Sequence, residues 1–254
     1  MQNRAPPWFH HPMPWDFWLI FLVLGILLPW RGFERMRHLM QLPEVSGRDR
    51  LKLYALTILF QWALTLLVAW RAFARGLSLE ELAVRGGRSS SVLAVTVVGG
   101  GLVAAAHWAN LRRMARSNHP NLQRLRALGS RLFPRTPSET TLFILLAITA
   151  GLCEEFLFRG FVMAALYRAG AVNWLAVVVS SAMFGVAHLY QGRGGSVGTG
   201  ILGTIFALIR IAYHSLLPVV VWHAALDVVA GIAGTKFLTE APAEEVKILE
   251  EIHR

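Results

Sequence analysis

Long apolar runs alternate with short, arginine-bearing polar connections along nearly the whole chain. The runs fall near residues 16–30, 53–73, 92–109, 140–167, 172–190, 195–212 and 215–234, and most approach the roughly 20 residues that cross the hydrocarbon core of a bilayer. None alternates with the period of a barrel strand, and a lone segment in lipid satisfies its backbone hydrogen bonds only as a helix. The pattern therefore predicts an all-α fold, a polytopic transmembrane helical bundle of about seven spans, eight possible. The first run, which is short, and the sixth, glycine-rich with Arg210 near its end, fit the spanning template least well. Three regions follow: N-terminal membrane helices with basic loops over residues 1–139, a core of membrane helices over 140–234, and a polar tail over 235–254. The Pro-rich stretch before the first run lacks a small-residue cleavage site, so that run is expected to remain as a span.

Composition supports the membrane class: 55% of the 254 residues are hydrophobic and 16% are charged, outside the range of ordinary soluble domains. The net charge of +10 comes from arginines grouped beside the apolar runs. Arg31, Arg35, Arg37, Arg48, Arg50 and Lys52 follow the first, and Arg112, Arg113, Arg116, Arg124, Arg126, Arg131 and Arg135 follow the third. Such clusters set orientation and are expected to face the cytoplasm, with the N-terminus outside and the tail inside. Arg71, Arg75, Arg85 and Arg88, after the second run, reduce the asymmetry. No stripe of basic residues with interleaved aromatics marks a nucleic-acid partner; the partners expected are the lipid bilayer and a membrane-associated peptide or protein. Arg- and Ala-rich usage fits a bacterial cytoplasmic membrane. The segment Arg112 to Arg135 reads either as an interfacial helix, with Leu122, Leu125, Leu128 and Leu132 at helical spacing, or as a solvated connector. Cys153 is the only cysteine, which excludes an internal disulfide. No role is assigned to His10, His11, His38, His107, His119 and His214, or to the acidic tail with Glu244, Glu245, Glu250 and Glu251.

Against this apolar background a few charges stand out. Glu154, Glu155 and Arg159 lie in the fourth run, and with Asp227 they would cost on the order of 10 kcal/mol if they faced lipid, so they are expected to face the bundle interior. Glu155 and Arg159, four apart with the acid first, suit an intrahelical ion pair. Glu154 points about 100° away from Glu155 around the helix and is left without that cation, which makes it the candidate general base. In the fifth run Ser181, Phe184 and His188 share one face; in the seventh, His223, Asp227 and Gly231 do. Asp227 is placed to hold the ring of His223 in one tautomer. Two carboxylates, two histidines and an aspartate converging on one interior suit water activation better than support.

Taken in order, EExxxR at Glu154, Glu155 and Arg159, FxxxH at Phe184 and His188, and HxxxD at His223 and Asp227 resemble the CPBP family of CAAX prenyl endopeptidases and bacteriocin-processing or self-immunity proteins, over roughly residues 140 to 234. The resemblance implies a membrane-helix bundle with a cavity open to the cytoplasm, in which Glu154 and His188 activate water. It assigns the oxyanion to His223 and Asp227, and the organisation of the site or substrate to Glu155 and Arg159. Many members carry Asn where this chain has Asp227, and an ionised carboxylate cannot donate to an oxyanion; Asp227 is then left to orient His223. No cofactor is certain. A Zn2+ held by Glu154, His188 and His223, with Asp227 behind them, stays open, although no local HExxH signature is present. Two other function classes remain beside the protease: a proton-coupled transporter, which internal repeats would favour and none is seen, and a scaffold or immunity protein that keeps the motifs without cleaving.

Overall fold

A computed structural model describes residues 13–85, 89–117 and 122–239. His10, His11, Arg88, His119, the side chain of Arg124 and the tail glutamates lie outside the described residues. Among those described there is no strand. The helices are α1 (Trp15–Gln41), α2 (Gly47–Ala74), α3 (Ser90–Ala115), α4 (Leu122–Leu132), α5 (Pro137–Arg168), α6 (Asn173–Ala187), α7 (Arg193–Tyr213) and α8 (Leu217–Leu238). All except α4 and α6 are long and apolar enough to cross a bilayer, so the chain is an integral membrane protein built as a polytopic helical bundle.

Of the about seven spans expected, six are helices of spanning length and the fifth run gives a shorter apolar helix. The first and sixth runs, the least typical in sequence, give helices of 27 and 21 residues. The fifth gives only the 15 residues of α6, about 22 Å at 1.5 Å per residue, short of the roughly 30 Å of hydrocarbon. The chain leaves the helix at His188 (φ −101°, ψ 16°), makes one tight turn over Leu189–Gln191 and reverses at Gly192, whose φ of 86° favours glycine.

Local chemistry starts the helices that matter most to the site. Ser46 caps α2 by accepting from the N–H of Asp49 at 3.2 Å, and Thr136 caps α5 by accepting from the N–H of Glu139 at 3.3 Å, with Pro137 opening the helix. Arg50 donates to Glu139 at 2.7 Å in a buried pair that ties these two starts together. That end of the bundle also holds α4: Leu122 and Leu125 pack on Leu111, Ala233 and Leu238, and Arg131 donates to the carbonyls of Leu39 and Leu42, each at 3.1 Å. The basic segment after α3 is thus a packed helix over Leu122–Leu132. At the opposite end Asp16 accepts from Arg71 and Arg75, and the connection after α2 is clamped by Arg168 on Glu81 at 2.8 Å. Burial pushes the Glu81 carboxyl up; hydrogen bonds from Arg168 and from the N–H of Ser78 outweigh it and hold the group below its ordinary range.

In the centre α5 packs against both α2 and α8, α6 against α7, and α3 against α8. With lipid as apolar as the side chains, close backbone approach supplies much of the association. A Cβ on Gly151 of α5 would stand 2.8 Å from the carbonyl oxygen of Val220, and one on Gly185 of α6 would stand 2.9 Å from that of Ser196. Large side chains such as Leu59, Leu66, Val97, Leu102 and Ile201 point outward, while Phe17, Leu24, Val68, Phe161 and Phe184 fill the interior. Wide π turns loosen the backbone ladder of α1 at Val23–Leu27, of α3, of α5 and of the end of α8 at Thr235–Thr239, and in α3 and α5 a neighbouring helix serves the carbonyls there. Ser180 donates to the carbonyl of Phe158 at 2.9 Å in the turn Phe156–Val162 of α5, and Trp222 donates to those of Val95 and Thr96 in the turn Val95–Gly99 of α3.

Candidate active site

The sequence pattern EEFLFR places two adjacent carboxylates where α5 is crossed by α2, α6 and α8, and the two point to different neighbours. Glu155 and Arg159 are fully enclosed, and Arg159 donates through one terminal nitrogen to Glu155 Oε1 at 3.0 Å, the expected intrahelical pair. The rest of the guanidinium lies over the ring of Phe184, 4.1 Å from its centre, and 5.6 Å from that of Phe206, a cation–π setting that suits a desolvated arginine. Gly203 of α7 makes the space: a Cβ there would be 2.7 Å from a terminal nitrogen of Arg159.

Glu155 Oε1 also receives His223 Nδ1, at 2.7 Å. A carboxylate can only accept, so Nδ1 carries the proton and Nε2 is the nitrogen turned toward the remaining acids. This corrects the expectation that Asp227 orients the ring. Asp227 lies 3.6 Å from Nε2, beyond hydrogen-bond reach, while Glu155 holds the other nitrogen. The physical reason is that the two residues one turn apart on α8 place only a loose contact along the helix, whereas Glu155 meets the imidazole across the α5–α8 crossing.

His188 stands at the same place as the C-cap of α6. Its Nδ1 lies 2.8 Å from the carbonyl oxygen of Phe184, one of the last-turn carbonyls that a helix end leaves without a backbone partner. A carbonyl cannot donate, so the proton is on Nδ1 and Nε2 again faces inward. The two inward nitrogens meet one atom: Glu154 Oε2 is 3.9 Å from His188 Nε2 and 4.0 Å from His223 Nε2. The other oxygen of Glu154 accepts from Gln61 Nε2 at 2.8 Å. Enclosure is graded across this group: Glu155 and Arg159 are sealed, His188 and Glu154 are slightly accessible, and the Asp227 side chain is 40% exposed. The site therefore opens past Asp227.

All six residues read from the motifs, Glu154, Glu155, Arg159, His188, His223 and Asp227, are brought together. Sequence reading missed Gln61, a neutral amide in the second apolar run, and Phe206, whose ring centre lies 6.1 Å from that of His223. Tyr190, 5.7 Å from His188 ring to ring, was also not singled out.

Whether Glu154, His188 and His223 could hold zinc can be judged from their spacing. Tetrahedral bonds of about 2.0–2.2 Å set donor atoms roughly 3.3 Å apart, and the two separations from Glu154 Oε2 are wider. No group of three His, Cys, Asp or Glu among the described residues is arranged to grip an ion. The donor types suit a catalytic zinc, and the separations from Glu154 Oε2 are wider here than a bound ion would set them.

The fold and site define a class: a membrane-helix bundle that gathers paired carboxylates midway along α5 with imidazoles from α8 and the end of α6. Residues 136–229 match the family model described as type II CAAX prenyl endopeptidase Rce1-like, which bears out the resemblance carried by the three motifs. No curated protein and no solved structure matches the chain.

Proposed function

We propose that the protein is an intramembrane endopeptidase that hydrolyses a peptide bond near the end of a membrane-associated protein or peptide, of the CAAX-tail kind its family model names, by means of a water activated between Glu154 and His188. The observation that carries this is the convergence of two imidazole Nε2 atoms on one carboxylate oxygen at 3.9 and 4.0 Å. These gaps are too long for direct hydrogen bonds and are of the size that one bridging water spans. In this reading the water gives one hydrogen bond to Glu154 Oε2 and the other to the lone pair of His188 Nε2. Glu154 takes the proton as the water oxygen attacks the scissile carbonyl carbon. The oxyanion that forms accepts from Nε2–H of His223 in its charged form, whose second proton stays on Nδ1 against Glu155. Collapse breaks the C–N bond, and Glu154 returns its proton to the leaving nitrogen. Arg159 holds Glu155, and through it the ring of His223. Asp227, at the exposed mouth, is left to meet substrate. No step requires a metal, in keeping with the donor spacing.

The test is cleavage by detergent-purified protein of membrane peptides with C-terminal CAAX-type sequences, prenylated and not. Glu154→Gln is expected to lower kcat by at least about 100-fold, the lower range for a general base, with folding intact by thermal unfolding. Wild-type cleavage should survive a strong chelator. Cleavage by Glu154→Gln at the wild-type rate would sink the mechanism, and chelator-sensitive cleavage would move it to a metal. No cleavage of any such peptide by wild type would favour a scaffold.

A further inference from the structure

We infer that Gln61, on α2 and outside the family-matched segment, is a positioning residue for Glu154: its amide fixes which carboxylate oxygen faces the histidines and therefore which one gains the proton. The inference rests on the proposed role of Glu154 as base. Gln61 Nε2 donates to Glu154 Oε1 at 2.8 Å, and no other group among the described residues donates to that carboxylate at hydrogen-bond distance; the imidazoles stand 3.9 and 4.0 Å from the opposite oxygen. The two oxygens of a free carboxylate are equivalent, and here a close donor on Oε1 alone sets them apart at hydrogen-bond distance. With Oε1 occupied by an N–H, a proton arriving at the group goes to Oε2, the oxygen that faces the water and the leaving nitrogen. A primary amide suits the task because its N–H cannot be lost by titration, so the bias persists whether Glu154 is charged or neutral.

The orientation of the amide is committed to this contact. Among the described residues Gln61 Oε1 is buried without a hydrogen-bond partner, so the bond to the Glu154 carboxylate is the contact seen to orient the amide. Gln61 also lies across the α2–α5 crossing from Glu154, so the same bond holds the Glu154 side chain against rotation away from His188.

The test compares Gln61→Met, which keeps the length and flexibility of the side chain but removes the donor, with Gln61→Asn, whose amide stops one methylene short, in the full-length protein. Each is expected to fold as wild type does by thermal unfolding and to lower kcat about 10- to 100-fold, the range for a misplaced reacting group, with KM unchanged. A double-mutant cycle supplies the readout that mere packing would not move. Glu154→Asp draws the carboxylate back from Gln61, so adding Gln61→Met to it should cost little more. Wild-type kcat in Gln61→Met, with Glu154→Gln inactive, would overturn the positioning role and leave the glutamate mechanism standing. Additive losses in the cycle would overturn it equally. An active Glu154→Gln would overturn both.

Discussion

Glu155 is the carboxylate at which the enclosed half of the site meets. Its Oε1 accepts from Arg159 at 3.0 Å and from His223 at 2.7 Å, and neither Glu155 nor Arg159 touches solvent. A buried cation left without its anion is far more costly than an exchange of both for apolar groups, about 3–5 kcal/mol for removal of one partner. Glu155→Gln is therefore expected to lower stability by about that amount and to lower activity as well, because the charged form of His223 loses the negative charge beside Nδ1, while the amide oxygen can still accept from it. Thermal unfolding of the purified protein, read beside cleavage, checks both; an unchanged midpoint would mean that the aromatic faces of Phe184 and Phe206 alone hold Arg159. Charged residues of this kind were legible in the sequence because a charge in an apolar run is too costly to leave facing lipid. Gln61 was not, since a neutral amide beside Trp62 raises no comparable alarm. Nor was the partner of His223: spacing along one helix pointed to Asp227, and the contact that orders the ring crosses between helices instead.

At the scale of the element, the length of α6 and the close crossing of α5 with α8 decide whether the six residues meet. Were the fifth helix to run on, the N–H of His188 would take the carbonyl of Phe184; a helix of 15 residues that ends at Ala187 leaves that carbonyl to the His188 ring. Sequence periodicity showed the apolar face of this run but not its end, because the turn at His188 to Gly192 is made by the α7 packing that follows, with Ser196 donating to the carbonyl of Gly185 at 2.7 Å. The π turn that carries Arg159 escaped for a similar reason, as its opened carbonyl is served from α6 by Ser180. Gly151 sets the α5–α8 distance, one turn before Glu155. A methyl there would meet the backbone oxygen of Val220 at 2.8 Å and the Ala224 Cβ at 3.1 Å, atoms that cannot yield without moving α8 and His223 with it. Gly151→Ala is expected to destabilise by about 1–3 kcal/mol, the usual cost of overpacking, and to lower activity further than that loss explains. Gly198→Ala, where a methyl meets nothing within 4 Å, is the matched control and should leave cleavage unchanged. Equal behaviour of the two in paired unfolding and cleavage assays would show that the crossing has slack.

Across the whole molecule, the helices alternate so that one end gathers the α1–α2 connection, α4, the start of α5 and the close of α8, bound together by Arg50 with Glu139 and by Thr235 with the carbonyl of Pro134 at 3.0 Å. The other end gathers Asp16 with Arg71 and Arg75, and Glu81 with Arg168. Basic residues are present at both, but at the second Arg71, Arg75 and Arg168 are engaged by carboxylates and Arg85 is exposed, whereas at the first Arg48, Arg112, Arg113 and Arg116 are all exposed. Unneutralised positive charge beside a span resists translocation, so the first end is expected to face the cytoplasm. Cys153, the only native thiol, is fully buried, which leaves the background clear for single introduced cysteines. Arg48→Cys and Glu80→Cys sit at exposed positions on opposite ends. In intact cells a membrane-impermeant maleimide should label Glu80→Cys and reach Arg48→Cys only after the membrane is opened. The reverse pattern would turn the molecule over, so that a substrate anchored on the cytoplasmic leaflet would no longer meet the basic end first.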